Sequence, residues 1–168
     1  MKQIKLINPE SVSEEEVKNY RNREAARAII FDENKLIALL HVKNENYYKL
    51  PGGGIEEGED IFIDLDRECK EEMGCEIEIL NEIGLIVEYR KIFNLKQTSH
   101  CYLAKLKGLK GKPDFTDSEK EKGFEEVWLP YSEAIKVLNE SNAVSTEGSS
   151  YIVPRDLAFL EEAGKYTI

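Results

Sequence analysis

Nothing in this 168-residue chain approaches the ~20 consecutive apolar residues that a membrane span requires. Residues 1–7 show no apolar core followed by a small-residue cleavage site, so export is not expected. Cysteine is scarce. Cys69, Cys75 and Cys101 are an odd number without C-x-x-C spacing, and each sits in an apolar segment, as a small buried hydrophobe in a reducing cytoplasm would. Basic residues are outnumbered, 23 against 33 acidic, for a net charge of −10. That argues against a reader of duplex nucleic acid, which needs cations for phosphate contacts. Internal repeats and low-complexity segments are lacking too. The expectation is one domain over residues 1–168, with an N-terminal extension at 1–22 and a helical C-terminal extension at 140–168.

The acids that are present are unevenly placed. Between Glu56 and Glu72 nine of them (Glu56, Glu57, Glu59, Asp60, Asp64, Asp66, Glu68, Glu71, Glu72) face only Arg67 and Lys70. Such a cluster repels itself unless it is a solvated face or holds a cation.

The flanking pattern alternates strands and helices without strict βαβ order. Residues 1–7 read as an edge strand, and Ser13 as the N-cap of a short helix with acids in its first turn. Residues 23–31 and 35–41 read as strands joined by a turn at 32–34. Tyr47 to Leu50 is a short strand running into Pro51-Gly52-Gly53-Gly54. From Asp60 the period changes: Ile61, Leu65, Cys69 and Met73 recur every four residues and Gly74 stops the helix. Strands are expected at 75–80, 83–89, 99–106 and 127–129, a polar loop at 107–123, and helices at 132–139 and 155–162. The fold class expected is α/β, with a mixed sheet between helices.

Glu68, Glu71 and Glu72 stand at i, i+3 and i+4 and share one helix face. Grouped carboxylates are hard ligands of the kind Mg²⁺ or Mn²⁺ prefers. Arg67 can brace Glu71 one turn away, and the glycine turn lets backbone carbonyls approach the same spot. The full spacing is Gly53, five residues, Glu59, seven residues, Arg67-Glu68, an apolar residue, any residue, Glu71-Glu72, any residue, Gly74, an apolar residue. This stretch resembles the Nudix box, with every fixed position filled and cysteine in both apolar slots. The resemblance extends over roughly residues 23–139.

The resemblance implies an α/β/α sandwich of the Nudix type and hydrolysis of a nucleoside diphosphate derivative with Mg²⁺ or Mn²⁺. It implies Glu71 and Glu72 as metal ligands with the Gly53 carbonyl, Glu68 as ligand or base, and Glu59 paired with Arg67. Residues 89–106 and 124–129 resemble members acting on nucleoside triphosphates such as oxidised purine deoxynucleotides, which makes that substrate class the first expectation. ADP-ribose, a non-catalytic nucleotide-binding module and a prenyl diphosphate isomerase are the rivals, and the isomerase's own acid–base pair has no counterpart to place here.

Outside the box, Tyr47 and Tyr48 are candidates for base stacking, and His41 and Lys43 for a passing phosphate. His100 and Trp128 read as structural, Arg90 and Lys91 as a charged turn in preference to contacts for a distal phosphate, and Arg155-Asp156 as a helix opening. Because three glutamates and a carbonyl are few ligands for two six-coordinate ions, a further acid is expected from just before the last strand. Alternation favours Glu125 over Glu121, with Glu126 on the other side. The expected partner is a nucleotide-derived small molecule rather than duplex nucleic acid or a membrane, and a second copy of the chain is a candidate for a homodimer.

Overall fold

The structure is a computed structural model that describes residues 1–56 and 58–166. Glu57, one of the nine clustered acids, lies outside the described residues. The chain runs β1 (Gln3–Ile7), α1 (Glu14–Val17), β2 (Arg21–Phe31), β3 (Leu36–Val42), β4 (Tyr47–Lys49), α2 (Ile61–Met73), β5 (Glu76–Arg90), β6 (Leu95–Lys107), α3 (Asp117–Glu121), β7 (Phe124–Pro130), α4 (Tyr131–Asn139) and α5 (Val153–Ala163).

The sheet is mixed. β1 lies parallel to β5, β5 antiparallel to β6, and β6 parallel to β2 over the whole length of β2. β3 touches β2 only at the hairpin, Phe31 opposite Ile37, then splays away to pair with β4 and β7. Residues 51–55 fill the gap this opens. The Ala28 N–H donates to the Pro51 carbonyl at 3.1 Å, the Ala26 N–H to that of Gly53 at 3.0 Å, and the Ile55 N–H to that of Glu24 at 3.0 Å. The glycine turn is therefore held along the free edge of β2, which satisfies backbone groups that burial would otherwise leave unpaired.

Strand alternation sends side chains into two cores. Ala26, Ala28 and Ile30 face α2 through Leu65, Cys69 and Met73. Ile29 of β2 faces the opposite layer with Phe159 and Leu160 of α5 and Leu138 of α4. Burying each large apolar side chain contributes roughly 1.5–3 kcal/mol, so the helical stripe read from the sequence is what docks α2. The result is the α/β/α sandwich with a mixed sheet. All three cysteines are free and buried in these cores.

Two expectations change. The segments 75–80 and 83–89 form one strand, β5, with register shifts between Ile79 and Asn81 and between Glu82 and Gly84. Such bulges break the alternation and make one strand look like two. At Gly84 (φ 152°) a Cβ would sit 2.6 Å from the Ile4 side chain, so β1 can lie this close only on glycine. The loop at 107–123 also contains α3, closed by a capping box in which Thr116 and Glu119 exchange hydrogen bonds. Before α5 stands a π-helical turn, Gly148–Ile152, which no periodicity announces.

Candidate active site

Asp60 caps α2, its Oδ1 accepting from the N–H groups of Phe62 and Ile63, and Gly74 (φ 62°) ends it. With Leu65, Cys69 and Met73 turned into the core, Glu68 and Glu72 turn toward the glycine loop. Glu72 is only 2 % exposed. Its Oε2 accepts from the Gly52 N–H at 2.7 Å and its Oε1 from Lys49 Nζ at 2.8 Å. Glu68 lies against Gly53, where a Cβ would collide with its carboxylate, so a larger residue here would push the Glu68 carboxylate out of this position. Burial pushes the Glu68 carboxyl up and the Glu72 charge adds to it, while Arg67 and Lys49 hold it down. Glu71 is more exposed, 3.4 Å from Arg67.

Arg67 braces three carboxylates, donating from Nη2 to Asp64 at 2.7 Å and from Nη1 to Glu68 at 2.9 Å and Glu71 at 3.4 Å. The expected Glu59–Arg67 pair is replaced by Asp64–Arg67. Glu59 lies close enough to Asp64 for the two carboxyls to compete for a proton, which pushes the Glu59 carboxyl up and holds that of Asp64 down. Buried Asp64 also accepts from the Glu56 N–H at 3.1 Å, so it locks the loop to the helix. Its spacing at i, i+3 to Arg67 was the available signal.

The Gly53 carbonyl is also not the open ligand expected. It accepts from the Ala26 N–H and from Arg27 Nη1, both at 3.0 Å, so both lone-pair directions are engaged. Among the described residues no three acidic, histidine or cysteine side chains are gathered at metal-ligand spacing; Glu72 pairs with Lys49, while Glu68 and Glu71 share Arg67. The donor set nonetheless suits a hard divalent ion. Two carboxylates, one buried and one largely so, lie side by side over a loop that lacks a Cβ at Gly53, and Glu71 stands beside them.

The outer candidates fall elsewhere. Val127 and Leu129 face the α4–α5 core, whereas Phe124 and Trp128 face α2. Glu125 therefore points away from the acidic helix and pairs with Lys43 at 2.7 Å. Both faces of the sheet are covered by helices, so alternation alone could not say which face carries the site. Glu126 shares the α2 side, partly buried, with Oε2 lacking a hydrogen bond among the described residues. Glu121 lies on α3, its carbonyl accepting from Asn44 Nδ2. The segment that does reach α2 is the loop after β6: the Asp114 N–H donates to the Glu71 carbonyl at 2.7 Å. Tyr47 is 3 % exposed and part of the interior, so it offers no face to a base. Tyr48 and His41 stack on each other, centroids 4.3 Å apart, on the Glu125 side of the sheet. Sequence reasoning missed Lys49, Asp64, Arg27 and Asp114.

The NUDIX domain family model matches residues 21–147. No curated protein matches the chain. Among solved structures, a NUDIX hydrolase from Nitrosomonas europaea superposes with a TM-score of 0.64 at 14% identity, covering 86% of this chain and 90% of that one. A MutT protein from Methanosarcina mazei gives 0.61 at 14% identity, covering 87% and 95%. An ADP-ribose pyrophosphatase from Streptococcus suis gives 0.54 at 19% identity, covering 87% and 94%. At these identities the likeness is one of fold.

Proposed function

The chain belongs to the NUDIX domain family, whose enzymes act on nucleoside diphosphate derivatives, and from that premise we propose that it is a divalent-metal-dependent pyrophosphohydrolase of nucleoside triphosphates, oxidised purine deoxynucleotides among them, releasing a nucleoside monophosphate. The observation that carries this reading is the placement of Glu68 and Glu72 against Gly52 and Gly53, where the helix acids and the loop backbone meet. Glu68, Glu71 and Glu72 would hold Mg²⁺ or Mn²⁺ there, and the ion would supply charge neutralisation and lower the pKa of water.

The chain's own residues do the rest. Glu72 is oriented by the Gly52 N–H and Lys49, so its position does not depend on side-chain freedom. Glu68, set against Gly53 and held by Arg67, is positioned either as a further metal ligand or as the base that takes a proton from the attacking water. Arg67 positions Glu68 and Glu71, and Asp64 with Glu59 anchors Arg67. The buried free thiols fit a cytoplasmic setting.

Turnover of a substrate panel in Mg²⁺, with products separated by chromatography, tests this directly. Hydrolysis of a nucleoside triphosphate to monophosphate is expected, lost in excess EDTA. Preference for ADP-ribose would move the substrate class, and no turnover of any member would reduce the chain to a binding module.

A further inference from the structure

Behind the glycine loop, on the side away from Glu68, four arginines converge. Arg27 of β2 reaches the Gly53 carbonyl. Arg90, at the end of β5, and Arg155, at the start of α5, are 2 % and 1 % exposed. Arg23 stands at the mouth, its guanidinium lying over Gly54 so that a Cβ there would be 2.6 Å from Nη2. The fully buried acids among them are Glu88 and Asp156. Glu88 accepts from Arg90 Nη2 at 3.0 Å, Gln97 Nε2 at 2.8 Å and the Ser99 hydroxyl at 3.3 Å. Asp156 accepts from Arg155 Nε at 2.7 Å and the Leu50 N–H at 2.9 Å.

These acids do not saturate the cations. Among the described residues, Arg27 Nε, Arg90 Nε and both terminal nitrogens of Arg155 are buried without a hydrogen bond, and Arg155 Nη1 lies 3.8 Å from Glu88. The charge that completes Arg90 comes from the rim: Glu147, its side chain 42% exposed, accepts from Arg90 Nη1 at 2.7 Å. Glu147 directly precedes the π-helical turn Gly148–Ile152, whose Tyr151 ring lies 5.1 Å from the Arg90 guanidinium. Among the described residues, Arg23 has Gln97 Oε1 as its one hydrogen-bond partner, at 3.3 Å, and opens onto a cleft of about 520 Å³ lined also by Asn22, Ile55 and three acids, Glu24, Glu56 and Glu59. Buried arginines with idle donors are costly and add little to stability. A carboxylate on a partly exposed segment is the natural occupant to exchange for another oxyanion.

We propose that Arg23 and Arg90 form an anion subsite that takes a terminal phosphate of the substrate in place of the Glu147 carboxylate. The proposal rests on the hydrolase reading and narrows it to substrates with a phosphate beyond the scissile linkage, as in a nucleoside triphosphate, over diphosphates ending in an uncharged sugar. Glu147 is then an internal stand-in that excludes weaker anions until a phosphate displaces it.

The test is calorimetric titration of inorganic pyrophosphate into the full chain in EDTA, where neither metal nor hydrolysis contributes. Glu147→Gln should tighten binding about tenfold and Arg23→Gln, at an exposed position, should weaken it about tenfold. Glu125→Gln, on the strand surface away from the loop, should bind as the wild type does. In turnover, Arg23→Gln should raise KM for a nucleoside triphosphate about tenfold with kcat kept, and leave KM for a nucleoside diphosphate sugar unmoved. Pyrophosphate binding that is absent, or indifferent to both Glu147→Gln and Arg23→Gln, overturns the subsite even if the chain hydrolyses nucleotides. Binding that responds to both variants in a chain that hydrolyses nothing upholds the subsite and overturns only the hydrolase reading.

Discussion

Two polar regions meet at one glycine loop, and they differ in almost every respect. On one side, Glu68 presses against Gly53, Glu72 is buried beside Lys49, and Glu71 stands at a partly solvated rim. On the other, Arg27 holds the Gly53 carbonyl from within a buried arginine network. The acidic region comes from one continuous stretch, whereas the basic one draws on β2, β5, β6 and the start of α5. The first tolerates its like charges by leaning on water, Lys49 and Arg67. The second is buried except at its Arg23 and Glu147 rim, so its two buried carboxylates, Glu88 and Asp156, carry more of the stability. Removing an acid should therefore cost activity on one side of the loop and folding on the other.

The largest effect expected is on the acidic side. Glu72→Gln preserves size and an acceptor for the Gly52 N–H but removes charge, and should cut turnover by about 10³-fold, or ~4 kcal/mol, a larger effect than the stability lost with the Lys49 pair. A variant that melts early and keeps its rate would reverse the comparison. On the basic side, Glu88→Gln should lower unfolding stability by roughly 3 kcal/mol in urea, because Arg90 and Arg155 lose their shared carboxylate, while Glu71→Gln on the exposed rim should stay within about 0.5 kcal/mol. Equal losses from the two would show that burial does not separate the regions.

Smaller effects sharpen the boundary. Asp114→Asn, beside Glu71, should slow turnover about tenfold if the loop after β6 supplies the outer acid, whereas Glu125→Gln should leave the rate unchanged; kcat at saturating Mg²⁺ decides between them. Asp32 lies outside both regions. Burial alone would raise its carboxyl, but Lys110 at 2.6 Å and the N–H groups of Leu36 and Asn34 outweigh it and hold the pKa below the ordinary aspartate value. Its stabilisation is present above that ordinary value and is lost as pH falls through the lower folded value. Asp32→Asn should cost about 1 kcal/mol at neutral pH and flatten the acid limb of an unfolding-versus-pH curve.

The acid helix and its caps were legible because Leu65, Cys69, Met73 and the glutamates obey one local period, and because Asp60 and Gly74 act on their own turns. Both hairpin strands were legible for the same reason, whereas the α/β/α order came only with the family resemblance. Glu125 misled because β7 is covered on both faces, so alternation gave two sides and no way to choose between them. Tyr47 misled because a buried tyrosine and a stacking tyrosine look alike in sequence.

Local spacing by itself determined the chemistry this chain carries: the acids of the box, the glycine turn and the family they identify. The tertiary structure alone decided what those groups touch. Asp64 rather than Glu59 takes Arg67, Lys49 rather than a distant base takes Glu72, and Arg90 and Arg155, which look like a turn and a helix opening in sequence, close on Glu88 in the interior. The reason is physical. Helix period and capping act over a few residues and are written in order along the chain, whereas a buried ion network is chosen by which strands and helices pack together, and its energy exists only after water has been excluded.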